Sequence, residues 1–246
     1  MPLRNATRGY KTWVEINIRA LLHNLRVVQN RVGKNVAVMC VVKSNAYGHG
    51  IVEMARSLHA LRSFSEGGWF GVDSIEEALV LKKAGIKNPI LILGYIPKQR
   101  LPDAIRNGFR FALYDTDVLR ECARIAKKLK KKAFVHVKIE TGTYRQGITR
   151  SHVPEFAELL RRHARHVIAE GVYSHFADTE DISSPYYKEQ LGLFSNIVSL
   201  FRELGILFQY RHVAASAATM LYAETHYNMV RWGIGLYGLF PSKDVQ

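Results

Sequence analysis

The residues best suited to chemistry lie in a few short runs. Lys43 ends the apolar stretch Val36–Val42 and opens Lys43-Ser44-Asn45-Ala46-Tyr47-Gly48-His49-Gly50. A lysine at the mouth end of a buried strand can serve as an amine nucleophile. It can equally bury its stem and keep its head in water. Further on, Lys138, Glu140, Thr141, Gly142 and Arg145 share one run. His175 follows another apolar stretch, Ser216 opens a short alanine-rich one, and Arg231 precedes Gly233-Ile234. Singly, each has a plain explanation. His175 suits a hydrogen-bonded core histidine, Ser216 a helix cap, and Arg231 a pair with a structural carboxylate.

The elements that must position them are legible as an alternation. β-rich runs read Val36–Lys43, Trp69–Val72, Ile90–Leu93, Phe111–Leu113, Phe134–Ile139, Val172–His175, His212–Ala214 and Met229–Arg231. Several are continuously apolar, as parallel strands covered on both faces require. Helical patterns separate them. Ser74 and Glu77 form a capping box that opens Ile75–Ala84, and Gly85 closes that helix. Thr116–Lys131 sets Val118, Leu119, Cys122, Ile125, Ala126 and Leu129 on one face. Ahead of the first strand come a segment at Thr12–Asn17 and a helix over Arg19–Arg31. Eight strands with right-handed crossovers predict an α/β fold, a (β/α)8 TIM-type barrel, over residues 1–240. Residues 241–246 read as the exit from it. A doubly wound open sheet is the competing architecture.

In such a barrel chemistry sits at the C-terminal ends of the strands, and the last two loops often hold a phosphate. Ser216 supplies a hydroxyl at a short helix there. Gly233 lets backbone approach closely, so the amides of Gly233 and Ile234 can point at phosphate oxygens. An imine-forming lysine and a phosphate cradle in one barrel suggest pyridoxal 5'-phosphate as cofactor. Gly233-Ile-Gly235-Leu-Tyr-Gly238 also spells a dinucleotide fingerprint. That motif needs a following helix and strand with an acid about 20 residues on, and Leu239–Gln246 carries neither.

Composition bounds the rest. The 246 residues are 48% hydrophobic and 23% charged, which excludes an acidic disordered chain. No apolar run approaches the ~18 residues of a membrane span. The opening MPLRNATRGYKTW lacks a secretory apolar core. Cys40 and Cys122 give neither a disulfide framework nor a zinc pattern. The expectation is a cytoplasmic protein with no metal and no membrane partner. Lys+Arg 35 against Asp+Glu 21 gives +14, which favours anionic partners. No nucleic-acid motif accompanies that charge, so no nucleic-acid partner is expected. Its densest run, Lys127, Lys128, Lys130, Lys131 and Lys132, reads as a solvated helix end.

At these residues the sequence resembles the alanine racemase family, the fold-type III pyridoxal phosphate enzymes, from about Thr12 to Ser242. Val41-Val-Lys43-Ser-Asn-Ala-Tyr47-Gly-His-Gly50 resembles the family's cofactor-lysine signature. Asn228-Met-Val-Arg231-Trp-Gly-Ile-Gly-Leu-Tyr-Gly238 resembles its eighth-strand motif. Lys138–Gly142, Ser174–Ala177 and Ala215–Ala218 match further blocks. The resemblance implies that Lys43 holds the cofactor covalently and then acts as one of two acid/base groups, on the D-face proton. It implies phosphate binding by Tyr47, Ser216, Gly233 and Ile234, and a hydrogen bond from Arg145 to the cofactor's phenolic oxygen. Lys138, often carbamylated in relatives, would position Arg145. Leu93 would pack near the ring, and His175 would sit beside it and link to Arg231. Arg231 would face the pyridine nitrogen. An arginine there keeps its proton and leaves that nitrogen unprotonated. The weaker electron sink suits simple reprotonation, hence a racemase.

The sequence departs from the family at Thr143-Tyr144, where Met-Gly is usual, at Gln146, and at Ala215, where asparagine is common. Relatives continue into a β-rich domain that brings the second catalytic base and a homodimer interface, and this sequence shows no such domain. The implied function is interconversion of L- and D-alanine through a lysine aldimine and a Cα carbanion, supplying D-alanine for peptidoglycan, with the barrel alone poorly active. The alternative is a single-domain pyridoxal phosphate carrier without racemase activity. Serine in place of alanine as substrate is a narrower alternative.

Overall fold

The computed structural model describes residues 9–246. The chain runs α1 (Ile18–Val32), β1 (Ala37–Val41), α2 (Lys43–Tyr47), α3 (Ile51–His59), α4 (Arg62–Ser65), β2 (Trp69–Val72), α5 (Ile75–Lys83), β3 (Ile90–Ile92), α6 (Leu101–Asn107), β4 (Arg110–Leu113), α7 (Thr116–Leu129), β5 (Ala133–Lys138), α8 (Val153–Arg162), β6 (Val167–Tyr173), α9 (Tyr186–Glu203), β7 (Tyr210–His212), α10 (Ser216–Leu221) and β8 (Met229–Trp232). The strands are parallel and follow the order β7-β6-β5-β4-β3-β2-β1-β8. This is the (β/α)8 architecture that the alternation predicts. Met39 on β1 lies in register with Trp69 on β2 and Arg231 on β8, so β1 joins the ends of the ring. Among the described residues β7 and β8 share no ladder. Their seam is bridged: Arg231 N donates to Ala214 O at 3.0 Å, and the Asn228 side chain accepts from Arg211 N and donates to Gln209 O.

The helices form for the reasons their sequences give. Asn17 Oδ1 accepts from Ala20 N to start α1. Asp115 caps α7 by accepting from Val118 N, and α7 buries Leu119, Cys122, Ala123, Ile125 and Ala126. Lys130, in the left-handed region at φ 52°, ends that helix two residues short of the sequence expectation. Lys127, Lys128, Lys130, Lys131 and Lys132 are all exposed. Between sheet and helices the packing is made by Phe64, Phe70, Phe111, Phe156, Phe194 and Phe201, all fully buried. A second, smaller apolar cluster of Met39, Trp69, Leu91 and Met229 fills part of the barrel.

Five expectations are corrected. Lys43 does not end the first strand; it opens a turn in which Ser44, Asn45, Ala46 and Tyr47 each have φ 54°. The sixth strand begins at Val167 rather than Val172, and His175 lies beyond its end. The seventh strand is Tyr210–His212 rather than His212–Ala214. Only half of the capping box forms. Ser74 Oγ accepts from Glu77 N at 3.3 Å, but the Glu77 carboxylate turns to Asp73 N and Asn45 N. The residues after Phe240, expected to leave the barrel, lie against it, with Ser242 Oγ donating to Glu180 O and Val245 buried. No helix of the described residues is long and apolar enough to cross a membrane.

Candidate functional site

A cavity of about 500 Å³ opens at the C-terminal ends of the strands. Lys43, Tyr47, Leu93, Lys138, Arg145, His175, Ser216, Arg231, Gly233 and Ile234 all line it. The fold therefore brings these ten residues to one cavity, while Glu140, Thr141 and Gly142 from the same nominated run as Lys138 and Arg145 do not line it. The charged lining is dominated by Lys43, Lys138, Arg145 and Arg231, with Asp73 and Glu180 as the anions. Such a cavity favours an anionic ligand.

Lys43 enters this cavity from an uncommon backbone. Four successive L-residues in the left-handed region cost about 1–2 kcal/mol each, so the surroundings must hold them. Glu77 Oε1 accepts from Asn45 N at 3.2 Å, and Asn45 Oδ1 accepts from Ile51 N at 2.9 Å. Gly48 and Gly50 amides close back on the turn. The Tyr47 hydroxyl is held above its ordinary pKa, by burial first and by the Glu77 charge second, and stays protonated. Tyr47 packs on Tyr237, whose hydroxyl donates to Val41 O.

The phosphate cradle takes a slightly different form from the one expected. Ser216 is the first residue of α10 rather than its cap. Its Oγ accepts from Gly233 N and Gly235 N, each at 3.2 Å. The Gly233 and Gly235 amides thus hold the Ser216 hydroxyl in place, and Gly233 and Ile234 both line the cavity beside it. A Cβ placed on Gly233 would stand 3.3 Å from the Tyr47 hydroxyl and 3.9 Å from Ser216 Oγ. The glycine leaves a space open between two hydroxyls and beside two amides, a donor set that suits a phosphate.

Arg231 is buried and, among the described residues, pairs with no carboxylate. Nη1 donates to His212 Nδ1 and His212 O, each at 3.1 Å. Nη2 donates to Ser174 O at 2.9 Å, Val213 O at 2.9 Å and His175 Nδ1 at 3.1 Å. Among the described residues the Nε–H has no protein partner, and Arg231 lines the cavity. Burial lowers the Arg231 pKa to about 10, which still leaves it charged. Burial, then the cations Arg231, Arg145, Lys138 and Lys43, push His175 down to about 3. His175 is therefore neutral and accepts at Nδ1.

The Lys138 Nζ donates to Gln146 Oε1 at 2.9 Å. Burial, then Arg145 and Arg231, bring the Lys138 amine down to about 8. As free amines and guanidinium, the two cations repel. The Arg145 loop is held by Glu140, whose carboxylate accepts from the backbone amides of Gly142, Thr143 and Arg145. Burial works to raise the Glu140 carboxyl, and those amides outweigh it and lower it. Sequence reasoning missed His212, Gln146 and Tyr173 in the cavity's support. Gln146 carries a signal as the residue after Arg145; His212 carries none beyond its place at a strand end.

With the geometry described, the chain can be compared with known proteins. The family model "Alanine racemase, N-terminal domain" matches residues 16–241. The chain is 38% identical over 236 residues to alanine racemase 1 of Caldanaerobacter subterraneus subsp. tengcongensis, covering 96% of this chain and 60% of that protein. It is 38% identical over 234 residues to the alanine racemase of Desulforamulus reducens, covering 95% and 62%. The solved alanine racemase of Clostridium difficile 630 superposes with a TM-score of 0.92 at 34% identity, over 97% of this chain and 62% of that one. The chain thus spans about three fifths of the length of these relatives.

Proposed function

This chain belongs to the alanine racemase family, and from that premise we propose that it forms the cofactor-binding barrel of a pyridoxal 5'-phosphate-dependent racemase acting on alanine. The observation that carries the reading is the single cavity that joins the Lys43 amine to the Ser216–Gly233 cradle. The residues fit the cofactor on three counts: an amine, a set of donors around an open space, and an unpartnered Arg231 Nε–H for a ring nitrogen. When bound, pyridoxal phosphate would supply an electron sink that acidifies the substrate's Cα–H.

In this reading Ser216, Tyr47 and the Gly233 and Ile234 amides would hold the phosphate. Arg231 donates to the ring nitrogen and, being charged at neutral pH, keeps it an acceptor. His175, neutral, takes its hydrogen bond from Arg231 and adds no charge beside the ring. Arg145 serves the phenolic oxygen, and Leu93 covers the ring. Lys43 would hold the cofactor through its amine and would be the proton-handling group on one face of the substrate's Cα.

Inversion needs a second proton-handling group on the opposite face. We assign it to the part of the relatives' length that this chain does not span, together with a homodimer in the assembled enzyme. Cytoplasmic D-alanine supply for peptidoglycan follows as the role of that enzyme.

The test is exchange of the alanine Cα proton in D2O by the cofactor-loaded chain. The reading expects deuterium to enter D-alanine through Lys43 with little inversion, and to enter neither enantiomer in Lys43→Ala. Tight cofactor binding without exchange of either enantiomer would replace the racemase reading with a carrier.

A further inference from the structure

Behind Arg231 a line of polar groups crosses the barrel interior, and its hydrogen bonds can run in only one direction. A guanidinium carries donors and no acceptor. His212 Nδ1, 3.1 Å from Arg231 Nη1, must therefore present a lone pair. His212 is fully buried, and burial with the nearby His136 and Arg231 holds its pKa well below 6.5. It is neutral, and its proton sits on Nε2. That Nε2–H lies 2.8 Å from His136 Nδ1, which must then accept. His136 is also fully buried, and burial outweighs Glu170 to lower its pKa. Its own proton is left on Nε2.

Among the described residues the His136 Nε2 atom makes no hydrogen bond, and it faces the Glu170 carboxylate, whose Oε2 stands 3.6 Å away. Glu170 is itself clamped by Arg110, with Nε at 2.9 Å and Nη2 at 3.1 Å. Burial works to raise the Glu170 carboxyl, and the facing His136 and Arg110 outweigh it and hold it at about 2. The other groups packed on His136 are Tyr210 and Trp69. The line draws one group from each of β4, β6, β5, β7 and β8. It leads from a part-buried carboxylate on β6 to the arginine in the cavity wall.

We propose that Glu170, clamped by Arg110, is a positioning residue that acts through His136 and His212 to fix the direction in which Arg231 donates. If His212 carried its proton on Nδ1, two donors would face each other at the Arg231 contact, and the guanidinium would have to turn. Glu170 is the acceptor that makes the other direction the favoured one. It charges the far end of the line, so both imidazoles keep their protons on Nε2 and their lone pairs toward Arg231. The Nε–H of Arg231 is then left pointing at the ligand. The tautomer chain stands on the hydrogen bonds from Arg231 to His136, on the burial of both imidazoles and on the carboxylate that faces its far end. Its consequence for a bound pyridine ring rests on the function proposed above.

The test is nitrogen NMR of the histidine side chains in the cofactor-free chain at neutral pH. The wild type is expected to show His136 and His212 neutral, each protonated at Nε2 and bare at Nδ1. A double variant, Arg110→Leu with Glu170→Leu, removes the acceptor without stranding a buried charge. It is expected to mix the tautomers of both histidines and to weaken pyridoxal phosphate binding roughly tenfold, the scale of one charge-assisted hydrogen bond. Arg110→Lys keeps the acceptor and is expected to keep both tautomers. A wild-type His212 protonated at Nδ1 overturns the proposal even where the double variant does not fold. Unchanged tautomers in a folded double variant overturn it as well. A wild type with the expected tautomers that fails to bind pyridoxal phosphate would instead sink the functional reading and leave the chain of tautomers standing.

Discussion

Replacing Gly233 by alanine separates the fold from the ligand site. The new methyl would sit 3.3 Å from the Tyr47 hydroxyl and 3.9 Å from both Ser216 Oγ and Val41 Cβ. Only the first of these is tight, and the Tyr47 hydroxyl is the far end of a side chain that can move by a few tenths of an ångström. The cost to the free protein is therefore about 1 kcal/mol or less, or roughly 2–4 °C in melting temperature for a chain of this size. The ligand fares differently. The methyl fills the space between the two hydroxyls where a phosphate would lie. Losing two charge-assisted hydrogen bonds at about 1.5–2 kcal/mol each removes about 3–4 kcal/mol. That is a loss of about 10²–10³-fold in affinity for pyridoxal phosphate. Thermal melts of the free chain and a cofactor titration followed by absorbance measure the two effects. A variant that folds and binds within threefold of wild type would refute the placement of the phosphate.

Arg231→Lys should destabilise the free protein by about 3 kcal/mol or more, read from urea unfolding. One ammonium cannot reach the five acceptors on His212, Ser174, Val213 and His175 that the guanidinium serves. Acidification should destabilise the fold from about pH 6.5 downward. His175, His212 and His136 all have folded-state pKa values lowered by burial. The unfolded chain therefore binds more protons below about 6.5, and the stability present above that pH is lost as pH falls, toward about 3 in the case of His175. The slope is about 1.4 kcal/mol per pH unit for each histidine still neutral, and an unchanged urea midpoint between pH 7 and pH 5 would contradict it. Gly147→Ala should disrupt the loop that carries Arg145. Gly147 has φ +135°, and a Cβ there would lie 2.5 Å from Glu140 N and 2.6 Å from the Ile139 carbonyl carbon. Loss of soluble folded protein by circular dichroism checks this, and a native-like melt speaks against it.

Strands buried on both faces wrote themselves into the sequence as apolar runs, so Trp69–Val72 reads correctly to the residue and Met229–Trp232 to within one. The sixth strand was half hidden because its first half carries Glu170 and Gly171, residues that seldom mark a strand. Glu170 is tolerated there because Arg110 from β4 meets it across the barrel interior. The site residues were legible because each follows an apolar run, where a barrel places its mouth. The left-handed turn after Lys43 was not, since nothing in Ser44-Asn45-Ala46-Tyr47 favours four positive φ values in a row. That backbone depends on Glu77, which local sequence assigns to a helix cap. The histidine line was invisible for a related reason: His136 and His212 are 76 residues apart and meet only when β5 and β7 share the barrel.

Under the proposed function one ligand reaches both the Lys43 amine and the Ser216–Gly233 cradle. Borohydride reduction of the chain in pyridoxal phosphate, followed by peptide mass spectrometry, tests it directly. A phosphopyridoxyl group carried on Lys43 at near-stoichiometric yield, and suppressed by excess inorganic phosphate or by Gly233→Ala, is the expected result. Label spread over the exposed lysines such as Lys127 and Lys130, with Lys43 unmodified, would contradict it.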